Sequence, residues 1–293
     1  MAFTATLQSI RSLLRSPASR RSKSLSVNQV SVSADDTVTA SMPQHPATEV
    51  VEDVSVARGV MVNGVDEGEA LHDLPRVCAA LDEKVTRLLE EERADETFKG
   101  MQERVRQSMD IIAESLRRYN PEELAMSYNG GKDCLVLLIL LLAGIHRHSQ
   151  STNSSAPPPK TLQSTYSLNL TRSTLPMRQA LSAYLAANPA LRAVFVGTRR
   201  TDPHGATLTS FDETDGDWPR FMRIHPVLDW HYTEIWALLR ALDVEYCKLY
   251  DMGYTSLGGT TDTLPNPALK SSGGSFRPAY ELVDDDEERL GRD

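Results

Sequence analysis

The sequence has little cysteine. Cys78, Cys134 and Cys247 are the only three in 293 residues, and no two form a CxxC pair. That spacing argues against a zinc cage or a disulfide framework and fits a reducing compartment. A long apolar run is also missing: the strongest, 135–145, holds 11 residues, about half of the roughly 20 that cross a bilayer as a helix. No membrane span is predicted. The first 30 residues hold no continuous apolar stretch followed by a small-residue cleavage site, so no secretory signal is predicted. Excess positive charge is missing too. Thirty-one Lys and Arg stand against 40 Asp and Glu, a formal charge of −9, which disfavours a nucleic-acid partner. Nothing in the sequence points to a protein partner, and no internal repeat is visible. What remains, 40% hydrophobic and 24% charged residues, is globular composition in a chain long enough to bury a core.

Charge is segregated along the chain. Residues 1–34 carry Arg11, Arg15, Arg20, Arg21 and Lys23, many serines and no acid, so the five cations removed from −9 leave −14 for the rest. A cytoplasmic chain with a disordered Ser-rich tail and a mitochondrial targeting segment are both consistent with that composition. Residues 35–74 lack periodicity and read as linker, which puts a tail at 1–74 and a folded domain at 75–293. From Val77 onward apolar residues recur at three and four, predicting helices at about 76–95 and 96–118, the second stopped by Tyr119, Asn120 and Pro121. A buried strand at 124–128, a glycine loop at 129–132 and a helix at about 133–148 follow, then a polar linker at 149–160. A strand at 165–170, a helix at 176–187, a strand at 193–197 and a helix at 229–242 continue the alternation. Residues 284–288 read as a solvated acidic tail. The fold class expected is α/β: a Rossmann-like, mostly parallel sheet flanked by helices and preceded by two N-terminal helices.

The most informative segment is Ser127-Tyr128-Asn129-Gly130-Gly131-Lys132-Asp133. Two glycines permit positive φ and close approach of a ligand to the backbone, so that successive N–H groups can address one anion. A helix beginning at Asp133 adds its positive dipole end, and Lys132 a mobile point charge. The segment departs from the Walker pattern, because Asp133 replaces the metal-binding Ser or Thr and no glycine sits five residues before Gly131. An ordinary glycine turn between strand and helix is the competing explanation.

This segment resembles the pyrophosphate loop of N-type ATP pyrophosphatases, a superfamily that includes phosphoadenylylsulfate reductases and eukaryotic FAD synthases. Asn129, where most of the superfamily has serine, is similar to the FAD synthase branch. Gly197-Thr198-Arg199-Arg200-Thr201-Asp202-Pro203-His204-Gly205 resembles that branch too, as do Thr214-Asp215 with Trp218-Pro219, His225-Pro226-Val227-Leu228-Asp229-Trp230, Gly253 to Gly258, Asn266 to Leu269 and Arg277 to Tyr280. The resemblance covers about 76–289, and its form is the fungal type with a single catalytic domain. It implies transfer of AMP from ATP to FMN with Mg²⁺. Asn129, Lys132, Asp133, Arg199 and Arg200 are the catalytic residues it implies. Gly130, Gly131, Asp202, Asp215, Trp218 and Arg277 are implied as substrate-binding residues.

Alternatives stand beside several of these roles. Arg199 and Arg200 follow a strand's carboxyl end and can bridge two anions, or form a surface charge pair. Asp202 either accepts the flavin imide N–H and supports Mg²⁺, or caps a turn before proline. Trp218 stacks on a flavin or plugs the core. Cys134 is read as helix packing, His146 and His148 as helix-end residues, and His204 and His225 as locally hydrogen-bonded. A sulfonucleotide reductase needs a nucleophilic cysteine near the C-terminus, and none follows Cys247. One departure from the family concerns Leu162-Gln163, which runs straight into Ser164-Thr165-Tyr166 where relatives have a further strand and helix of about 20 residues. The expected consequence is impaired ATP binding, so a flavin- or nucleotide-binding remnant is the alternative to an active enzyme.

Overall fold

Helix α1 (Leu74–Glu90) forms because Val77, Cys78, Leu81, Val85 and Leu88 repeat at helical spacing, and all five are buried. This computed structural model describes residues 74–152, 173, 175–258 and 263–292. The tail at 1–73 and the strand expected at 165–170 lie outside the described residues. Helix α1 ends earlier than its periodicity predicts, because the Gln102 side-chain amide donates to the carbonyls of Leu88 at 2.7 Å and Glu91 at 2.8 Å and caps it there. Helix α2 (Glu96–Arg118) starts at Asp95, whose carboxylate accepts the N–H of Phe98 at 2.7 Å. It stops at Tyr119, in the expected place.

The sheet has four strands in the order β1-β2-β4-β3: β1 (Leu124–Met126), β2 (Ala193–Phe195), β3 (Phe211–Glu213) and β4 (Met222–Ile224). Strands β1, β2 and β4 run parallel, while β3 pairs antiparallel with β4. The strand expected at 124–128 is shorter than predicted, and its residues are half-buried rather than buried. Among the described residues β1 pairs only with β2, so its other edge carries no strand. Parallel bonding nevertheless continues beyond the strand ends, with Ser127 N–H donating to Phe195 O and Val196 N–H to Ile224 O, both at 2.9 Å.

Helix α3 (Lys132–Thr152) follows β1 and packs against α1, α2 and the later α5 (Tyr232–Ala241). It is long and apolar enough to match a membrane span by length and composition. Its apolar residues are nevertheless core: Val136, Leu137, Ile139, Leu140 and Leu142 are fully buried within the protein, and truncating one such leucine to alanine costs about 2–5 kcal/mol. The helix runs four residues past the expected His148, and in that last stretch the Ser149 and Ser151 hydroxyls donate back to the carbonyls of His146 and His148 at 2.7 and 2.8 Å. Helix α4 (Met177–Ala187) leads to β2 as predicted. Helix α5 begins only at Tyr232, where Glu234 reaches back to the His231 N–H at 2.8 Å. The strand ends carrying loops 127–131, 196–205 and 225–231 therefore share one edge, where ligands of open α/β sheets collect.

Candidate active site

Gly130 has φ of +80°, a left-handed turn that glycine adopts without strain. The next two backbone donors are both occupied: Gly131 N–H by Asn129 Oδ1 at 2.9 Å and Lys132 N–H by the Tyr250 hydroxyl at 2.8 Å. Behind the loop, strand β2 passes so close that a Cβ on Gly197 would stand 2.8 Å from Cys134 Sγ. Cys134 is therefore a packing residue, and burial pushes its thiol up to about 12.

The ionic centre lies where this loop meets the end of β2 and the C-terminal segment. Lys132 Nζ donates to Asp133 Oδ2 at 3.0 Å and to Glu288 Oε1, and stands 5.0 Å from the Tyr232 ring centroid. Arg199 donates to Glu288 Oε2 through Nη2 and to Trp230 O at 3.5 Å through Nη1. Its Nε lies 2.8 Å from Asp133 Oδ1, but the N–H is not aligned with that contact, and neither atom makes a hydrogen bond. Two cations and two carboxylates thus alternate around a closed square. Burial alone would lower the Lys132 pKa, but Asp133 and Glu288 outweigh it and hold the ammonium above the usual lysine range. Burial alone would raise Asp133, and Lys132 with Arg199 outweighs it in the opposite direction. The same two carboxylates keep Arg199 charged despite burial.

The acidic run at 284–288 divides: Asp284, Asp286 and Glu287 are exposed as its composition predicts, whereas Asp285 is half-buried and Glu288 buried. Glu288 is 4% exposed. Its backbone carbonyl accepts the Thr255 hydroxyl at 2.6 Å, while Asn266 Nδ2 donates to Thr255 Oγ1 at 2.8 Å and to Glu287 O at 2.7 Å. Asp285 accepts the Tyr232 N–H at 2.5 Å and pairs with His231 at 2.6 Å. A run of acids looks solvated from composition, but Asp285 and Glu288 have cations and helix α5's first N–H to meet.

The square borders a cavity of about 90 Å³ shared by Asn129, Gly131, Lys132, Asp133, Asp202 and Arg289. Lys132 is not mobile, as expected from sequence, but fully buried. Arg199 and Arg200 part ways: Arg199 is buried in the square, whereas Arg200 is exposed, donating to Asp229 Oδ1 at 2.6 Å and Ala206 O at 3.0 Å. The adjacent pair therefore does not address one point. Asp202 Oδ2 accepts the Arg199 N–H at 2.9 Å, and its Oδ1 lies 3.6 Å from Arg289. Asp215, Trp218 and Arg277 do not border this cavity. Asp215 is 3.7 Å from Arg223, Trp218 is 40% exposed and so does not plug the core, and Arg277 donates to Ala268 O at 3.2 Å. Among the described residues no group of three or more His, Cys, Asp or Glu is arranged to hold a metal ion.

Three residues of the centre escape sequence reasoning: Tyr250, Glu288 and Arg289. The signal for Glu288 and Arg289 lay in Thr255 and Asn266, inside motifs already noted, whose side chains clamp the backbone at 287–288. His225 also departs from expectation. It is buried with neither ring nitrogen hydrogen-bonded, and burial, with Arg223 nearby, pushes its pKa down to about 4. It borders a second cavity of about 320 Å³ beside Arg104, Ile111, Asp229 and Trp230.

Comparison with known proteins agrees with this architecture. The model of the phosphoadenosine phosphosulfate reductase domain matches residues 144–265, a stretch that leaves out the glycine loop. A probable FAD synthase of Schizosaccharomyces pombe is 44% identical over 216 residues, covering 67% of this chain and 82% of the relative. Since 67% of 293 residues is about 196, about 20 positions of that relative face no residue here. A probable FAD synthase of Caenorhabditis elegans is 37% identical, covering 65% of this chain and 40% of the relative. The crystal structure of Candida glabrata FMN adenylyltransferase in complex with FAD and inorganic pyrophosphate superposes with a TM-score of 0.68 at 26% identity, covering 76% of this chain and 99% of that one. With a glycine loop after β1, buried cations at the sheet's carboxyl edge and a relative matched over four-fifths of its length, the chain belongs to the FAD synthase family.

Proposed function

We propose that this chain is an FMN adenylyltransferase. A phosphate oxygen of FMN attacks the α-phosphorus of ATP, the bond from that phosphorus to the α,β-bridging oxygen breaks, and pyrophosphate leaves with the electron pair, yielding FAD. No covalent intermediate on the protein is needed, because FMN brings an ionised nucleophile and the protein positions and neutralises. The observation that carries this reading is the meeting of Asn129, Gly131, Lys132, Asp133 and Asp202 at one cavity on the carboxyl edge of a parallel sheet, with Arg199 paired to Asp133 behind it.

In this reading Gly130, Gly131 and Lys132 receive the leaving pyrophosphate, and Arg199 neutralises charge next to it. Asn129 and Asp133 set the loop and the two cations. Arg200 faces the phosphate of FMN, and Asp202, Asp215 and Trp218 form the flavin side, with Arg277 contributing from the C-terminal region. Mg²⁺ fits as an ion carried chiefly by the ATP phosphates: Asp202 offers Oδ1, whose nearest cation is 3.6 Å away, and no all-protein cage is required. When bound it would neutralise charge on the phosphates. Incubating the protein with FMN, ATP and Mg²⁺ should yield FAD and pyrophosphate in equal amounts. Absence of both from well-folded protein sinks the proposal.

A second reading is favoured by one observation, the shortfall of about 20 positions against the fungal relative together with the pairing of β1 on one side among the described residues. A strand flanking the phosphate-loop strand commonly supplies contacts to adenine. In that case the chain binds FMN but binds ATP poorly. Separate titrations of FMN by fluorescence and ATP by calorimetry decide between the two readings, repeated on a chain with a strand and helix restored after Gln163.

A further inference from the structure

We infer that Glu288 is an internal stand-in for a phosphate group: its carboxylate occupies the two cations that receive pyrophosphate and competes with it, setting the affinity for the triphosphate end of the nucleotide. The inference rests on the reading of this site as a pyrophosphate site.

Most donors of the site are spent within the protein. Of the three hydrogens that an ammonium offers, Lys132 directs two to Asp133 and Glu288 and stands over the Tyr232 ring. The loop N–H groups of Gly131 and Lys132 are taken by Asn129 and Tyr250. Gly131, Lys132 and Glu288 all border the cavity of about 90 Å³, so the acceptors already in place stand where a ligand would approach. A bound ligand must therefore displace an internal acceptor. Asp133 is the chain neighbour of Lys132 in the first turn of helix α3. Tyr250 is fully buried, edge-on to Trp236 at 5.1 Å. Glu288 is the acceptor that arrives from a separate segment, 156 residues from Lys132 in sequence. One of its oxygens serves Lys132 and the other Arg199, the way two phosphate oxygens bridge two cations.

The displacement asks little of the backbone. Thr255 and Asn266 fix the main chain at 287–288, so rotation of the Glu288 side chain alone uncovers Lys132 and Arg199. The resting square is also imperfect, since Arg199 Nε and Asp133 Oδ1 lie in contact without a hydrogen bond. A buried donor left so is better satisfied by a ligand that realigns it.

Inorganic pyrophosphate is the probe, titrated by calorimetry into the full 293-residue chain. Glu288→Gln removes the competing charge and keeps the shape; it should melt lower without ligand, bind pyrophosphate about tenfold tighter, and gain more thermal stability from it than the unaltered chain. Glu288→Asp, which keeps the charge, should retain the weaker affinity. Should Glu288→Gln fail to fold, Asp285→Asn tests the same idea, because Asp285 lies 3.7 Å from Arg199 and holds the segment against Tyr232; binding should tighten by a smaller factor. A merely structural carboxylate predicts the same lower melting temperature but unchanged or weaker pyrophosphate binding. That result overturns the inference, as does the absence of pyrophosphate binding in every chain. FAD synthesis is read separately: tightening without FAD formation leaves the inference standing and removes the proposed function, whereas FAD formation without tightening does the opposite.

Discussion

Arg199 and Arg200 are neighbours in one motif, yet they belong to two different regions. Arg199 enters a buried square in which each charge has an opposite partner; Arg200 lies exposed against Asp229, on the side of the motif block that continues to Asp215 and Trp218. The first region is preorganised and filled by the protein's own groups, and the second is open. Both are equally distinctive as sequence. A motif therefore reports which residue types chemistry requires, while burial and partners decide which of them also hold the fold together. His225 sharpens the contrast, because it is buried as deeply as Arg199 but its ring has no hydrogen-bond partner.

The largest effect is expected where structure and site coincide. Arg199→Met leaves Asp133 and Glu288 sharing one cation in a buried setting, which should cost about 3–5 kcal/mol in urea unfolding and lower FAD formation by at least about tenfold. Survival of full stability would show that the square is not a unit. The next effect is on pH dependence. The folded pKa of His225, about 4, lies below the unfolded value near 6.5, so in that window the unfolded chain binds a proton that the folded chain does not. Stability should fall as pH drops from about 6.5 to 4, by on the order of 3 kcal/mol from this group, and His225→Gln should flatten that limb of the denaturation profile. An unchanged slope in the variant rules His225 out as its source.

Smaller effects separate the two regions by ligand. A Cβ at Gly131 would stand 2.9 Å from Asn129 Oδ1, so Gly131→Val should weaken ATP by about tenfold and leave FMN binding nearly unchanged. Equal losses for both ligands would point to a folding defect. On the open side, Asp215→Asn and Trp218→Ala should move stability by no more than about 0.5 kcal/mol while FMN fluorescence titration shows weaker binding. A marked drop in melting temperature would erase the distinction between the regions.

Much of the fold was legible because its signals are local. Apolar spacing in α1 and α2, the stop at Pro121 and the loop with Gly130 in a positive-φ turn each depend on a few adjacent residues. What was not legible depended on distant partners. Asp285 and Glu288 look as solvated as the acids beside them until Thr255, Asn266 and Tyr232 are seen to hold them, and Lys132 looks mobile until Glu288 meets it. The half-burial of β1 likewise depends on what lies along its other edge, which local alternation does not report.

The pairing of two cations with two carboxylates has a consequence for the encounter with a polyanion. A group of charges that sums to zero projects only a short-range field, lost within about a Debye length of roughly 8 Å at physiological ionic strength. At longer range an approaching nucleotide meets only the screened field of the whole chain, whose formal charge is −9, and that field repels it weakly. Capture of ATP is then unsteered, and added salt should quicken the first collision instead of slowing it, the opposite of what an exposed basic cleft would do.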